Sequence, residues 1–249
     1  GNLFQSIMVA MEAYFWKYVF NPVKLIDNFI FVSHFSKQKH FEFNSAFREN
    51  FSQIYNFTDF SEMDLQIVRG DYFLYFGRLS VEKGIKTLIS AFSEHKDIKL
   101  KIAGTGPLKE FVDASSKTSG NIEYVGFRKG KDLEELIRNA SFVILPSECY
   151  ENNPMAVVEA YCLGKPVIGS EVAGIPELID NGKNGFLFRM GDRESLQKAI
   201  RNSLLITDEE YVNFSMSVHS FSKLKFDMAG HYSNLMEVYK SVIDKKKSE

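Results

Sequence analysis

Residues 145–164 read LPSECYENNPMAVVEAYCLG. The apolar run that leads into this stretch, Phe142 to Leu145, stops at Pro146, and a polar loop carries the chain through Asn152 and Asn153 to Pro154. Proline suits the first position of a helix, so the stretch predicts a strand, a loop and a helix start. Glu151 in the loop and Glu159 in the second helical turn flank a helix N-terminus whose first backbone N–H groups have no partner within the helix. Such a place offers amide donors to an anion and carboxylates to hydroxyls, which suits a ligand that is both phosphate and polyol.

The same alternation extends outward in both directions. Short apolar runs at residues 72–76, 99–103, 122–125, 142–145, 166–169 and 186–188 alternate with amphipathic segments, the pattern of βαβ units. The fold class is therefore α/β: a Rossmann-like parallel sheet of about six strands with helices on both faces. Right-handed crossovers bring the C-terminal ends of all six strands to one edge. That edge collects Gly77 and Arg78 through Lys83, then Gly104 to Pro107, Phe127 with Arg128 and Lys129, and residues 147–154 and 170–176. Beyond Met190, helices are expected near 194–205, 208–218 and 227–243, followed by a solvated Lys245, Lys246 and Lys247.

Upstream, residues 3–19 place Leu3, Ile7, Met8, Met11, Tyr14, Phe15 and Val19 at helical spacing, which predicts a helix buried on a broad face and ended by Asn21 and Pro22. Residues 27–32, DNFIFV, read as a buried strand, and Ser33 can cap a helix over 35–43. Residues 44–70 read as loop. The expected organisation is an N-terminal helix, strand and helix over residues 1–58, a linker over 59–71, a Rossmann-like sheet domain over 72–225, and a C-terminal helix with a basic tail over 226–249.

Composition narrows the function classes. With 30 Lys and Arg against 32 Asp and Glu, bulk electrostatics give no hold on a nucleic acid. The two cysteines, Cys149 and Cys162, suit free thiols in a reducing compartment, and a cytoplasmic protein is expected. No apolar run reaches the roughly 18 residues of a membrane span. The five histidines show no metal-ligand spacing, and no G-x-S-x-G marks a serine hydrolase, so no metal and no cofactor are expected.

Each candidate site residue has a bland alternative. Arg78 and Lys83 can hold a diphosphate, or Lys83 can pair with Glu82 in a solvated turn. Glu151 and Glu159 can form an acid and base pair, or accept hydrogen bonds from different parts of a long ligand, or Glu159 can lie on a helix surface. Gly104-Thr105-Gly106-Pro107 is a glycine turn but not a dinucleotide fingerprint or a phosphate loop. Phe127 and Arg128 can flank a base, or Phe127 can belong to the core.

FGRLSVEKG at 76–84, IAGTGP at 102–107, VGF at 125–127, the block at 145–160, GKPVIGS at 164–170 and GIPELI at 174–179 occur in one order. Together with the E-x7-E pair Glu151 and Glu159, they resemble the retaining glycosyltransferases of family 4, whose GT-B fold joins two Rossmann-like domains. The resemblance implies a metal-independent transferase that takes a nucleotide sugar, UDP-linked on family frequency, to a glycan or lipid-linked acceptor. It implies that Arg78 and Lys83 bind the diphosphate, Glu159 the ribose and Glu151 the transferred sugar. It further implies that Asn153, Pro154, Met155 and Ala156 meet the phosphates or the sugar, while Gly77, Gly104, Gly106, Phe127 and Arg128 shape the remaining donor site. Residues 1–58 would close the acceptor-binding domain, the bulk of which lies outside this sequence, and the fragment alone would transfer sugar poorly. Peripheral association with the inner membrane face would go with a lipid-linked acceptor. Two other readings remain open: a sugar-nucleotide epimerase of similar fold, and a non-catalytic nucleotide-binding or protein-interaction module.

Overall fold

Along the chain, the computed structural model describes residues 3–16, 22–62 and 64–248. The N-terminal part contains α1 (Leu3–Tyr14), β1 (Phe29–Phe31), α2 (His34–Phe43) and β2 (Phe51–Gln53). There follow β3 (Tyr72–Arg78), α3 (Ile85–Ser93), β4 (Lys99–Thr105), α4 (Lys109–Thr118), β5 (Ile122–Gly126) and α5 (Gly130–Arg138). The rest comprises β6 (Phe142–Leu145), α6 (Met155–Cys162), β7 (Val167–Ser170), β8 (Gly185–Phe188), α7 (Arg193–Leu205), α8 (Asp208–Lys225) and α9 (Met228–Ser248).

Strands β3 to β8 form one parallel sheet in the order β5-β4-β3-β6-β7-β8. All six were expected from their apolar runs, and the reason is visible in β3. Tyr72, Leu74 and Phe76 point to one face, into a cluster with Val157, Val158 and Tyr161 of α6. Phe73 and Tyr75 point to the other, against Leu88 and Phe92 of α3 and Ile200 of α7. A strand covered on both faces has no polar side to show, so it reads as a continuous apolar run. Chain order reverses between β3 and β6, the neighbours at the centre of the sheet. The crevice beyond their C-terminal ends is where open α/β sheets take ligands.

Three expectations for the flanking segments need correction. No residue of α1 is buried, and Leu3 is 75% exposed; the helix is found over its described residues, while residues 17–19 and Asn21 lie outside them. An apolar face is buried only where another element covers it, and both sheet faces are already occupied by the other helices. Residues 44–70 are not all loop: β2 pairs in parallel with β1, Phe29 against Phe51 and Phe31 against Gln53. Ser33 does cap α2, accepting from the Ser36 N–H at 3.0 Å.

The third correction concerns the last helix, which runs on through the basic tail to Ser248; the tail lysines stay exposed as expected, while α9 turns back on the N-terminal segment. In α9 the Lys246 Nζ lies 2.8 Å from Asp27 Oδ2, Lys245 donates to Asn50 Oδ1 at 3.3 Å, and the His231 ring bonds the Tyr55 carbonyl at 2.8 Å. Among the described residues no helix is long and apolar enough to cross a membrane.

Candidate donor-binding site

The loops after β3 and β6 meet at the central crevice because the backbone between them is closely packed. Gly84, between a short 3-10 turn at Val81–Lys83 and α3, adopts φ 69°. A Cβ built there would lie 1.8 Å from the Pro146 carbonyl oxygen, so only glycine lets the two loops touch. Glu148 N–H donates to the Glu82 carbonyl at 2.8 Å and the Thr87 hydroxyl donates to Glu148 Oε1 at 2.5 Å, which fastens the contact.

This packing brings Lys83 to Glu151. The Lys83 Nζ lies 2.5 Å from Glu151 Oε1, and the two side chains are 28% and 13% exposed. Ser147, fully buried, donates to the same carboxylate oxygen at 2.6 Å, and its own carbonyl accepts the Ser170 hydroxyl at 2.7 Å. The alternative pairing of Lys83 with Glu82 is not formed; Glu82 instead accepts from Ser80 at 2.7 Å. Two donors on one oxygen hold Glu151 as an acceptor in a fixed place. Beside it, burial first and the Glu151 carboxylate second push the Cys149 thiol up, which keeps it protonated and poorly nucleophilic.

Glu159 is not a surface carboxylate. It is half-buried on α6, and burial, with a smaller contribution from Asp59, raises its carboxyl to about 7. Pro154 stands one position earlier than expected: it is the N-cap of α6, with φ −67°, and its carbonyl accepts the Val157 N–H at 3.0 Å. Met155 and Ala156 therefore form the first turn of the helix.

A second group lines a cleft of about 610 Å³ beyond the ends of β3, β4 and β5. Gly77, Arg78, Gly104, Gly106, Phe127 and Arg128 contribute to it, with Phe76, Ala103 and Leu133 adding apolar wall. Its size and its mostly apolar lining with a few polar groups are those of a small-molecule site. Phe127 is 61% exposed and so is not core. A register shift in the β4–β5 ladder, where Ile102 pairs with Tyr124 but Ala103 with Gly126, turns the chain just before Phe127. Gly104 serves packing as well as the cleft, since a Cβ there would lie 1.9 Å from the Gly77 carbonyl oxygen.

The predicted residues thus fall into three neighbouring sets: the cleft, the Lys83–Glu151 pair, and the start of α6 with Glu159. Sequence reasoning passed over Ser147, which orients Glu151, and Asn56, whose backbone N–H donates to Asn153 Oδ1 at 2.8 Å. Glu177 was also passed over: it accepts the N–H of His34 at 2.8 Å and that of Phe35, capping α2. Among the described residues no group of three or more His, Cys, Asp or Glu could hold a metal ion.

Comparison with known proteins agrees with this architecture. An uncharacterized glycosyltransferase, MJ1607, of Methanocaldococcus jannaschii is 35% identical over 118 residues, 45% of this chain and 30% of that protein. The sulfoquinovosyl transferase SQD2 of Arabidopsis thaliana is 29% identical over 150 residues, 57% of this chain and 29% of that protein. The chain thus spans under a third of the length of these two relatives. In fold it superposes on Anabaena Alr3699/HepE, solved in complex with UDP and glucose, with a TM-score of 0.76 at 21% identity, covering 88% of this chain and 65% of that one. A glycosyltransferase from Rickettsia africae gives a TM-score of 0.77 at 17% identity, covering 92% of this chain and 66% of that one. The family model described as "Glycosyl transferases group 1" matches residues 62–216, which span β3 to β8 and both loops of the crevice, and the chain belongs to that family of GT-B glycosyltransferases.

Proposed function

We propose that this chain binds the nucleotide-sugar donor, UDP-linked, of a retaining glycosyl transfer that runs without a metal ion or other cofactor. The observation that carries the reading is the juxtaposition of Lys83 and Glu151, 2.5 Å apart at the central crevice, beside the cleft that holds Arg78. Each group has a job in the reaction. The bond between the anomeric carbon and the diphosphate oxygen breaks, and the electron pair leaves with the diphosphate. The acceptor hydroxyl oxygen bonds to the anomeric carbon on the same face while its proton passes to the departing diphosphate. Arg78 and Lys83 stabilise that growing negative charge, where a metal ion would otherwise do so. Glu151 accepts from hydroxyls of the transferred sugar and Glu159 from the ribose. The amides of Asn153, Met155 and Ala156 meet phosphate or sugar oxygens; Pro154 has none to give and sets the helix start instead. Phe127 and Arg128 flank the base. The acceptor, a glycan or lipid-linked sugar, is bound by parts of the full enzyme outside this sequence, at the cytoplasmic face of a membrane when it is lipid-linked.

A calorimetric titration with UDP, GDP, ADP and their sugars tests the reading. Micromolar binding of UDP and its sugars is expected, and failure of every nucleotide to bind refutes it. In a transferase containing this chain, Lys83→Ala should lower the rate about a hundredfold, about 3 kcal/mol of transition-state stabilisation. A near-normal rate for that variant would remove Lys83 from the mechanism.

A further inference from the structure

Two contacts from the N-terminal segment reach the loop that carries Glu151, and a third reaches the turn that braces it. Asn56 and Asn153 form a reciprocal clasp: the Asn56 N–H donates to Asn153 Oδ1 at 2.8 Å, and Asn56 Nδ2 donates to the Asn153 carbonyl at 3.2 Å. Phe35 of α2 packs edge-on against Tyr150, ring centres 5.2 Å apart. Glu177 caps α2 from the turn that begins at Gly174, and the Gly174 N–H in turn donates to the Glu151 carbonyl at 2.8 Å.

The clasp fixes more than distance. A backbone N–H can only donate, so the Asn153 atom facing it must be the oxygen, and the amide has one orientation available. Asn153 is 6% exposed, and its Nδ2, turned to the opposite side, is a buried donor without a partner among the described residues. Asn153, next to the helix start, is therefore set from outside the sheet domain through Asn56, while Glu151 is held from within it by Gly174.

We infer that Asn56 is a positioning residue for the donor loop, so that docking of residues 54–57 and binding of the nucleoside diphosphate favour one another. The inference rests on the donor-site reading above. Coupling of this kind is reciprocal: if the clasp helps the ligand, the ligand must tighten the clasp by the same factor.

The test uses UDP as the probe on the whole chain. Asn56→Ala removes the side-chain half of the clasp, keeps the backbone half, and is expected to weaken UDP binding about fivefold or more at temperatures well below melting. Asn153→Ala should weaken it as well, and the double variant should lose little beyond the larger single loss. In the unmutated protein, UDP should slow amide hydrogen exchange at residues 54–57, a readout that does not depend on any variant folding. Wild-type affinity in Asn56→Ala, additive losses in the double variant, or unchanged exchange at 54–57 on saturation with UDP would each overturn the inference while leaving the donor site standing. Absence of UDP binding by the wild-type chain overturns both.

Discussion

Glu159→Gln should make the protein more stable at alkaline pH while weakening its hold on the donor. In the folded chain burial raises the Glu159 carboxyl from 4.5 to about 7. Between those two values the native state binds more protons at this site than the unfolded chain, so stability falls as pH rises through the window, and above it the penalty is complete. At about 1.4 kcal/mol per pH unit, the loss between about pH 5 and about pH 8 comes to about 2.5 kcal/mol. Glutamine has no proton to lose there, so the gap between variant and wild type should widen by that amount in favour of the variant. With an unfolding entropy of about 2.1 cal/mol/K per residue over 249 residues, the gap in Tm should grow by about 5 °C. Calorimetric melts of both proteins across this range measure it, and the remaining carboxylates cancel in the difference. Parallel Tm curves would refute the assignment of a half-buried carboxyl raised to about 7 at this position. If the ionised form also accepts from the ribose, wild-type affinity for UDP should rise with pH up to about 7.

Three further outcomes are expected. Lys165 is 1% exposed and donates to the Val68 carbonyl; burial, then Arg138, lowers its ammonium from 10.5 to about 8. Between those values the unfolded chain binds more protons, so wild-type stability should rise as pH increases from about 8 to about 10.5. Lys165→Met should abolish that rise and be neutral or stabilising at about pH 7, by up to about 3 kcal/mol, as judged by denaturant unfolding at the two pH values; a strongly destabilised variant would contradict the account. Glu177→Ala removes the acceptor of two N–H groups at the start of α2 and should cost about 1–2 kcal/mol locally, seen as faster hydrogen exchange at residues 34–37 with the sheet unaffected. This chain alone should turn over a nucleotide sugar poorly or not at all, and robust transfer to an added glycan would contradict the division of labour proposed.

What the sequence disclosed was the part of the fold that is dictated locally. The strands of the central sheet showed themselves because, apart from β5 at the edge, they are largely enclosed on both faces, and the strand ends then had to share an edge. β2, three residues long with Phe51 39% exposed, carried no such signal, since its pairing with β1 is decided by a partner rather than by its own composition. Arg78, Lys83, Glu151 and Glu159 stood out by type and position, but which of them touch could not be read. Lys83 had Glu82 beside it in sequence and Glu151 sixty-eight residues away, and backbone packing at Gly84 decided for the distant one. Asn56 and Glu177 were invisible for the same reason. An asparagine in a loop and a glutamate after a proline gain meaning only from what lies across the gap, although the GIPE phrase at 174–177 marked the turn that holds one of them.

The return of α9 to the N-terminal segment has a consequence for the order in which the protein can be made. Tyr55 meets His231, and Asp27 meets Lys246, 219 positions later. At about 5–20 residues per second, synthesis leaves Asp27 waiting some ten to forty seconds for Lys246. The six-stranded sheet, complete at Phe188, can assemble on the ribosome in that interval, while the N-terminal segment still lacks α9. Nascent chains arrested after α8, once α7 and α8 cover the sheet, should therefore carry a protease-resistant sheet domain with residues 22–58 still open to cleavage, and they should gain full protection only once α9 has emerged.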